Sequence, residues 1–120
     1  FDCQYLVPRS TGKNVLRAAI LTAIQQPFDP ALLEPQWQRY GRTASPWPDP
    51  GVIRAVSGLD EARKIPGVEE IFMRYQAGDR VEPYNDCTKR VAFIIATGES
   101  REAVDSVIDK AMAVIDVVTK

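Results

Sequence analysis

Apolar residues recur along this chain with distinct periods, and each period predicts an element. Val15, Leu16, Ala19, Ile20, Ala23 and Ile24 return at spacings of three and four, the signature of one helix face. Ser10 and Thr11 offer hydroxyl caps before it, and Pro27 stops it. Residues 51–56 alternate and are rich in β-branched side chains, which predicts a strand. Ser57 and Gly58 punctuate that strand, residues 60–65 read as a short helix, and Pro66 and Gly67 close the unit. A further strand over 68–76 sets Ile71, Met73 and Tyr75 on one face and Glu70, Phe72 and Arg74 on the other, ending in the turn residues Ala77, Gly78 and Asp79.

Residues 91–96 form an almost unbroken apolar run inside a predicted strand over 90–97, the pattern of a central strand covered on both faces. Ser100 caps a last helix with Glu102 in its first turn, where negative charge suits the helix dipole. Its stripe is Val104, Val107, Ile108, Ala111, Val114, Ile115 and Val118. Between the first helix and residue 51, Pro27, Pro30, Pro35, Pro46, Pro48 and Pro50 interrupt regular structure and leave room only for a short edge strand over 36–43. The order of elements predicts an α+β fold: a mainly antiparallel sheet of about four strands with helices packed on one face, plus an N-terminal helix and a proline-rich connector. Residues 1–27 read as a helical lead-in, 28–50 as the connector and 51–120 as the sheet-and-helix unit of one domain.

Composition narrows the chemistry. With 120 residues and 45% hydrophobic content, the chain can bury one core but not a catalytic domain and a regulatory one. Fifteen basic against sixteen acidic residues leave a net charge of -1, so no overall field draws it to nucleic acid or anionic membrane. Histidine is absent, which removes the commonest general base and metal ligand. Cys3 and Cys87 form no C-x-x-C pair, and a thiolate nucleophile would lack an imidazole partner. No apolar stretch approaches the ~20 residues of a membrane span, and a cytoplasmic location is the expectation. The opening at Phe1 suggests a fragment of a longer polypeptide.

Several local patterns have a functional and a plain reading. Ser10-Thr11-Gly12-Lys13-Asn14 has the look of a phosphate loop, but Val7 stands where a glycine is needed and Asn14 where a hydroxyl is needed, so a helix start is the better reading. Asp60, Glu61, Glu69, Glu70, Asp79, Glu82 and Asp86 are hard-cation ligand types without the spacing of a metal loop, and read as charge around turns. Trp37, Tyr40 and Trp47, interleaved with Arg39 and Arg42, pin the connector or meet a protein partner.

The longest ordered pattern is Pro50-Gly51-Val52-Ile53, Gly58-Leu59-Asp60-Glu61-Ala62, Pro66-Gly67-Val68, Gly78-Asp79-Arg80-Val81-Glu82-Pro83, Asp86, Arg90-Val91 and Ala96-Thr97-Gly98-Glu99-Ser100-Arg101-Glu102-Ala103. In this order it resembles the C-terminal domain of ATP-grasp ligases of the L-amino-acid-ligase type, within the superfamily that includes biotin carboxylase and carbamoyl-phosphate synthase. Tyr5-Leu6-Val7, Ser10-Thr11-Gly12 and the helix to Ile24 are similar to the stretch just C-terminal to the magnesium-binding Asn-x-Arg segment of those ligases. The proline-rich middle is the least matched part. The resemblance implies a parent enzyme that uses ATP and Mg²⁺ to phosphorylate a carboxylate, with an amine then attacking the acylphosphate. It places no catalytic residue, cofactor or metal on this chain, makes the ATP-grasp core its partner, and sets residues 2–9, with Asp2 and Tyr5, at the edge of the substrate pocket. The competing expectation is a freestanding ferredoxin-like module that binds a small metabolite or forms a homodimer.

Overall fold

A computed structural model describes residues 2–120. The chain passes through a π-helical turn (Asp2–Leu6), α1 (Val7–Thr11), α2 (Val15–Ala23) and a 3-10 turn (Pro30–Leu33) before its first strand, β1 (Tyr40–Ala44). Then come β2 (Gly51–Ser57), α3 (Leu59–Arg63), β3 (Val68–Met73), β4 (Arg80–Val81), a 3-10 turn (Cys87–Lys89), β5 (Ala92–Gly98), α4 (Arg101–Val114) and β6 (Asp116–Thr119). The strands form two antiparallel three-stranded sheets, in the orders β1-β5-β3 and β4-β2-β6. The α+β class is as the sequence predicts, with the strands divided between two small sheets rather than gathered in one.

Strand β5 is central, as its apolar run requires. Ile94 and Ala96 enter a core with Ile71, Ala62 and the α4 residues Val104, Ile108 and Ala111. Alternation turns Phe93, Ile95 and Thr97 to the opposite face, where the π-helical turn packs. Both faces are therefore covered, by α3 and α4 on one side and by the N-terminal lead on the other. The second sheet has its own core of Ile53, Val81, Val91 and Ala92, with Met73 and Tyr75 packed against it, so the ends of β3 and β5 abut the second sheet.

Local chemistry explains most element boundaries. Ser100 Oγ accepts from the Ala103 amide at 3.1 Å, capping α4 as expected. The first helical pattern, by contrast, breaks at residues 12–14. Asn14, rather than Ser10 or Thr11, caps α2, its Oδ1 accepting from the Arg17 amide at 3.1 Å. The edge strand over 36–43 begins later, at Tyr40, and does lie at a sheet edge. The strand over 68–76 stops at Met73.

The largest departure is at the C-terminus. Ile115 and Val118 continue the helical spacing of α4, yet the helix ends at Val114, and Ile115 is extended at φ -76°, ψ 123°. Val118 belongs to β6, paired opposite Ala55 of β2. The run Val117-Val118-Thr119 is β-branched, and β2 offers it a free edge. The strand β4, only two residues long, also lies below what periodicity can detect.

Gly58, with φ +77°, brings β2 into α3 under the end of α4, and a methyl group placed on it would lie 1.9 Å from the Val114 carbonyl oxygen. Gly78, with φ +98°, has open space around it. Gly58→Ala should therefore lower stability by about 3 kcal/mol or more, whereas Gly78→Ala should cost only the backbone strain of about 1 kcal/mol. Denaturant midpoints of the two variants check the difference.

Candidate functional site

The two residues that the sequence marks for a pocket edge, Asp2 and Tyr5, sit on the π-helical turn against the first sheet. Asp2 Oδ1 accepts from Thr43 Oγ1 of β1 at 2.9 Å. The Tyr5 ring lies 4.6 Å from that of Phe72 on β3, centroid to centroid, at 44°. Both side chains thus fasten the lead to the sheet.

Arg9 of α1 completes this attachment. Its guanidinium reaches Glu70 Oε1 at 2.9 Å and Glu69 Oε2 at 3.6 Å, and stands 5.6 Å from the Tyr5 ring centroid. Glu69 also accepts from the buried Thr97 Oγ1 at 2.5 Å, linking the cation to the central strand. Trp37 donates its indole N–H to the Arg9 carbonyl at 2.8 Å, which ties the proline-rich connector to the same point. Sequence reasoning did not single out Arg9. The adjacent acids Glu69 and Glu70 in an apolar strand were a signal that a cation must cover them, though nothing in the sequence says which.

The residues resembling a phosphate loop have their polar groups occupied within the fold. Thr11 Oγ1 donates to the Val7 carbonyl at 2.7 Å and accepts from the Lys13 amide at 3.2 Å. The Thr11 and Ser10 carbonyls take amides of Gln36, Trp37 and Arg39. This segment closes α1 and holds the connector; it does not present a row of free amides to an anion.

The remaining acidic residues are mostly engaged locally. Asp60 pairs with Arg63 at 3.2 Å, and Asp79 Oδ2 accepts from the Gln76 amide at 2.8 Å. Asp86 caps the 3-10 turn by accepting from Thr88, which holds its carboxyl below the ordinary value. The hydrogen bond and charge of Lys89 likewise lower Glu82, and Glu82 raises Lys89. All three groups are on an exposed loop, where solvent makes such perturbation a structural effect. Among the described residues there is no group of three or more His, Cys, Asp or Glu placed to hold a metal. The magnesium implied by the resemblance therefore finds no fitting donor set among the described residues. Cys3 and Cys87 are both exposed and free. Among the described residues no helix is long and apolar enough to cross a membrane.

Two clefts flank the β1–α4 boundary. One, of about 530 Å³, is lined by Tyr40, Gly41, Arg42, Arg101, Val104 and Asp105. Across it Arg42 pairs with Asp105 at 2.7 Å. The other, of about 330 Å³, lies along β1 and α4 between Ser45, Arg90, Ile108, Asp109 and Met112. Trp47 stands at its rim and also packs edge-on against Tyr84, at 3.9 Å between centroids. Trp37 and Trp47 thus pin the connector, while each keeps about half its surface exposed.

If Arg9 acts as a clamp, Arg9→Ala should free residues 2–11 while leaving the sheets folded. The expected cost is about 1 kcal/mol, in keeping with a partly exposed ion pair. Hydrogen exchange should show protection lost over 2–11 and retained over 92–98.

Comparison with known proteins adds the family. The model of the L-amino acid ligase C-terminal domain 2 matches residues 46–120. An uncharacterised protein of Sinorhizobium fredii, y4rH, is 29% identical over 66 residues, which is 55% of this chain and 14% of that protein. The fold is that found in an L-amino acid ligase from Bacillus licheniformis, at TM-score 0.78 and 20% identity over 97% of this chain and 29% of that one. It is also found in phosphoribosylglycinamide synthetase from Anaerococcus prevotii, at TM-score 0.82 and 14% identity over 99% of this chain and 30% of that one. This chain spans less than a third of each of these relatives. With 62.5% of its length, 75 residues of 120, inside the matched model, the chain belongs to the L-amino acid ligase C-terminal domain 2 family.

Proposed function

We propose that residues 1–120 form a single accessory domain that buttresses the core of an ATP-dependent carboxylate–amine ligase and carries none of its catalytic residues. The parent enzyme uses ATP and Mg²⁺ to make an acylphosphate, which an amine attacks to form the amide bond. That chemistry needs clustered cations and metal around developing negative charge. The chain contributes neither histidine nor a metal-ligand cluster among its described residues.

The observation that carries the scaffold reading is the face of α2. Leu16, Ile20 and Ile24 succeed one another at four-residue spacing and are 43%, 53% and 59% exposed. Only Ala18 of α2 is buried, and the helix rests mainly on the Asp2–Leu6 and Pro30–Leu33 turns rather than on a sheet. The radius of gyration, 16.7 Å, exceeds the roughly 14 Å of a compact domain this size, consistent with an arm held away from the body. An apolar stripe on such an arm suits burial against another folded surface. The remainder of the parent polypeptide is its occupant, since the matched ligase and synthetase are each more than three times the length of this chain. Residues 2–9 then border the substrate pocket from the sheet side, in the cytoplasm.

Two substitutions in the complete ligase polypeptide test the docking surface. Leu16→Asp with Ile20→Asp should expose the junction to protease and lower ligase activity by about tenfold or more, because two charges would face an apolar surface. The denaturant midpoint of the sheet unit should not move, and unchanged protease resistance and activity would refute the reading. For the pocket edge, Tyr5→Phe with Asp2→Asn should raise KM for one substrate by about threefold to tenfold with kcat little altered. An unchanged KM removes Asp2 and Tyr5 from the pocket.

A further inference from the structure

Strand β1 leaves one edge of the first sheet open. It stands at the end of the order β1-β5-β3, and its residues Tyr40–Ala44 pair with β5 alone. In an antiparallel ladder, alternate residues turn both amide and carbonyl away from the partner strand. Among the described residues, the backbone of 40–44 makes no backbone hydrogen bond other than those to β5. Such a row of free groups is a template for one more strand.

A groove runs beside this edge, formed by the clefts of about 530 and 330 Å³ that follow one another between β1 and α4. Alternation decides which side chains face it. A methyl group placed on Gly41 would strike Leu6, and Thr43 bonds Asp2, so these two positions look toward the N-terminal lead. Arg42 reaches Asp105 and Ala44 packs on the core that α4 covers, so these look toward α4. A strand added to β1 would likewise send every second side chain into the groove, about 7 Å apart.

The two clefts differ in character. In the larger, Arg42 and Arg101 share one carboxylate, that of Asp105, at 2.7 and 4.0 Å, so the lining has one cation in excess and suits an incoming carboxylate. The smaller has one charge of each sign in its lining, Arg90 and Asp109, and an apolar wall of Ile108, Met112 and Trp47, whose surfaces adapt to aliphatic groups. It also holds Ser45, 5% exposed, whose Oγ makes no hydrogen bond. A buried hydroxyl without a partner is costly, and a backbone carbonyl arriving in the cleft would relieve it.

We propose that β1 accepts an extended segment of a partner protein as the fourth strand of its sheet. Antiparallel pairing is the more stable per residue, and it runs the segment from the smaller cleft to the larger. The sequence preference is therefore an aliphatic residue followed, two positions later, by an acidic one. Main-chain bonds supply the affinity and the clefts supply the selection. A second copy of this chain is the poorer occupant, because β1 paired with itself in full register sets Arg42 opposite Arg42. The site goes beyond the scaffold role and does not use α2.

Calorimetric titration of the full chain with acetyl-Thr-Val-Leu-Thr-Glu-Val-Thr-amide tests the proposal; its blocked ends leave only the backbone and side chains to be recognised. The peptide should saturate one site, and replacing its Glu by Lys should weaken binding by about tenfold or more. N-methylation of its Leu and Glu amides, or instead of its middle Thr and second Val amides, should abolish binding in one case and spare it in the other, since only one alternate set faces β1. Arg101→Glu, an exposed change, should weaken the Glu peptide and strengthen the Lys peptide by about fivefold each. No heat with the parent peptide, equal loss from both methylations, or affinities that ignore both charge changes would each overturn the proposal. So would a dimer of the chain in sedimentation that the peptide dissociates, which would make a second copy the occupant.

Discussion

The fold depends on covering one strand. Residues 92–97 of β5 are all buried, so every amide and carbonyl along them must pair and both faces must be sheltered. Antiparallel neighbours β1 and β3 meet the first demand, from opposite edges. The second fixes the rest of the architecture, with α3 and α4 on one face and the N-terminal lead on the other. The Arg9 clamp is a consequence of this constraint. A short lead lying on a sheet has little apolar area of its own, and the Glu69–Thr97 link lets one guanidinium tie it to the strand it covers.

Much of this architecture is legible in the sequence where the cause is local. The apolar run of β5, the Ser100 cap, the β2–α3 junction at Gly58 and the turn at Gly78 all announce themselves through residue type and spacing. What fails is what only tertiary pairing decides. Val114, Ile115 and Val118 satisfy a helical period, and nothing in that period reveals that β2 offers an edge to residues 116–119. Asn14 was readable as a cap, since Asn is as good a cap as Ser, but the nearby hydroxyls of Ser10 and Thr11 offered the same chemistry.

The sites were less legible than the fold. Asp2 and Tyr5 are marked only by their place in an ordered resemblance, and their hydrogen bond and ring contact come from β1 and β3, far along the chain. Arg9 and its acids are separated by about sixty residues, beyond any periodic signal. The cleft is harder still. Ser45 looks like an ordinary connector residue, because a buried hydroxyl without a partner is a property of the folded environment and not of residue type. The phosphate-loop likeness failed for the opposite reason: residue types were nearly right, but the backbone uses them for itself.

The passage from α4 into β6 occurs at a single extended residue, Ile115, and Val117 just beyond it touches both hydrophobic clusters. The two halves are consequently joined both where the ends of β3 and β5 abut the second sheet and by the last few residues of the chain. Losing those residues would strip an edge from the smaller sheet and unseat the end of the long helix together, so the C-terminal tail acts as a keystone, and fusions or truncations there strike the whole body and not a dispensable fringe.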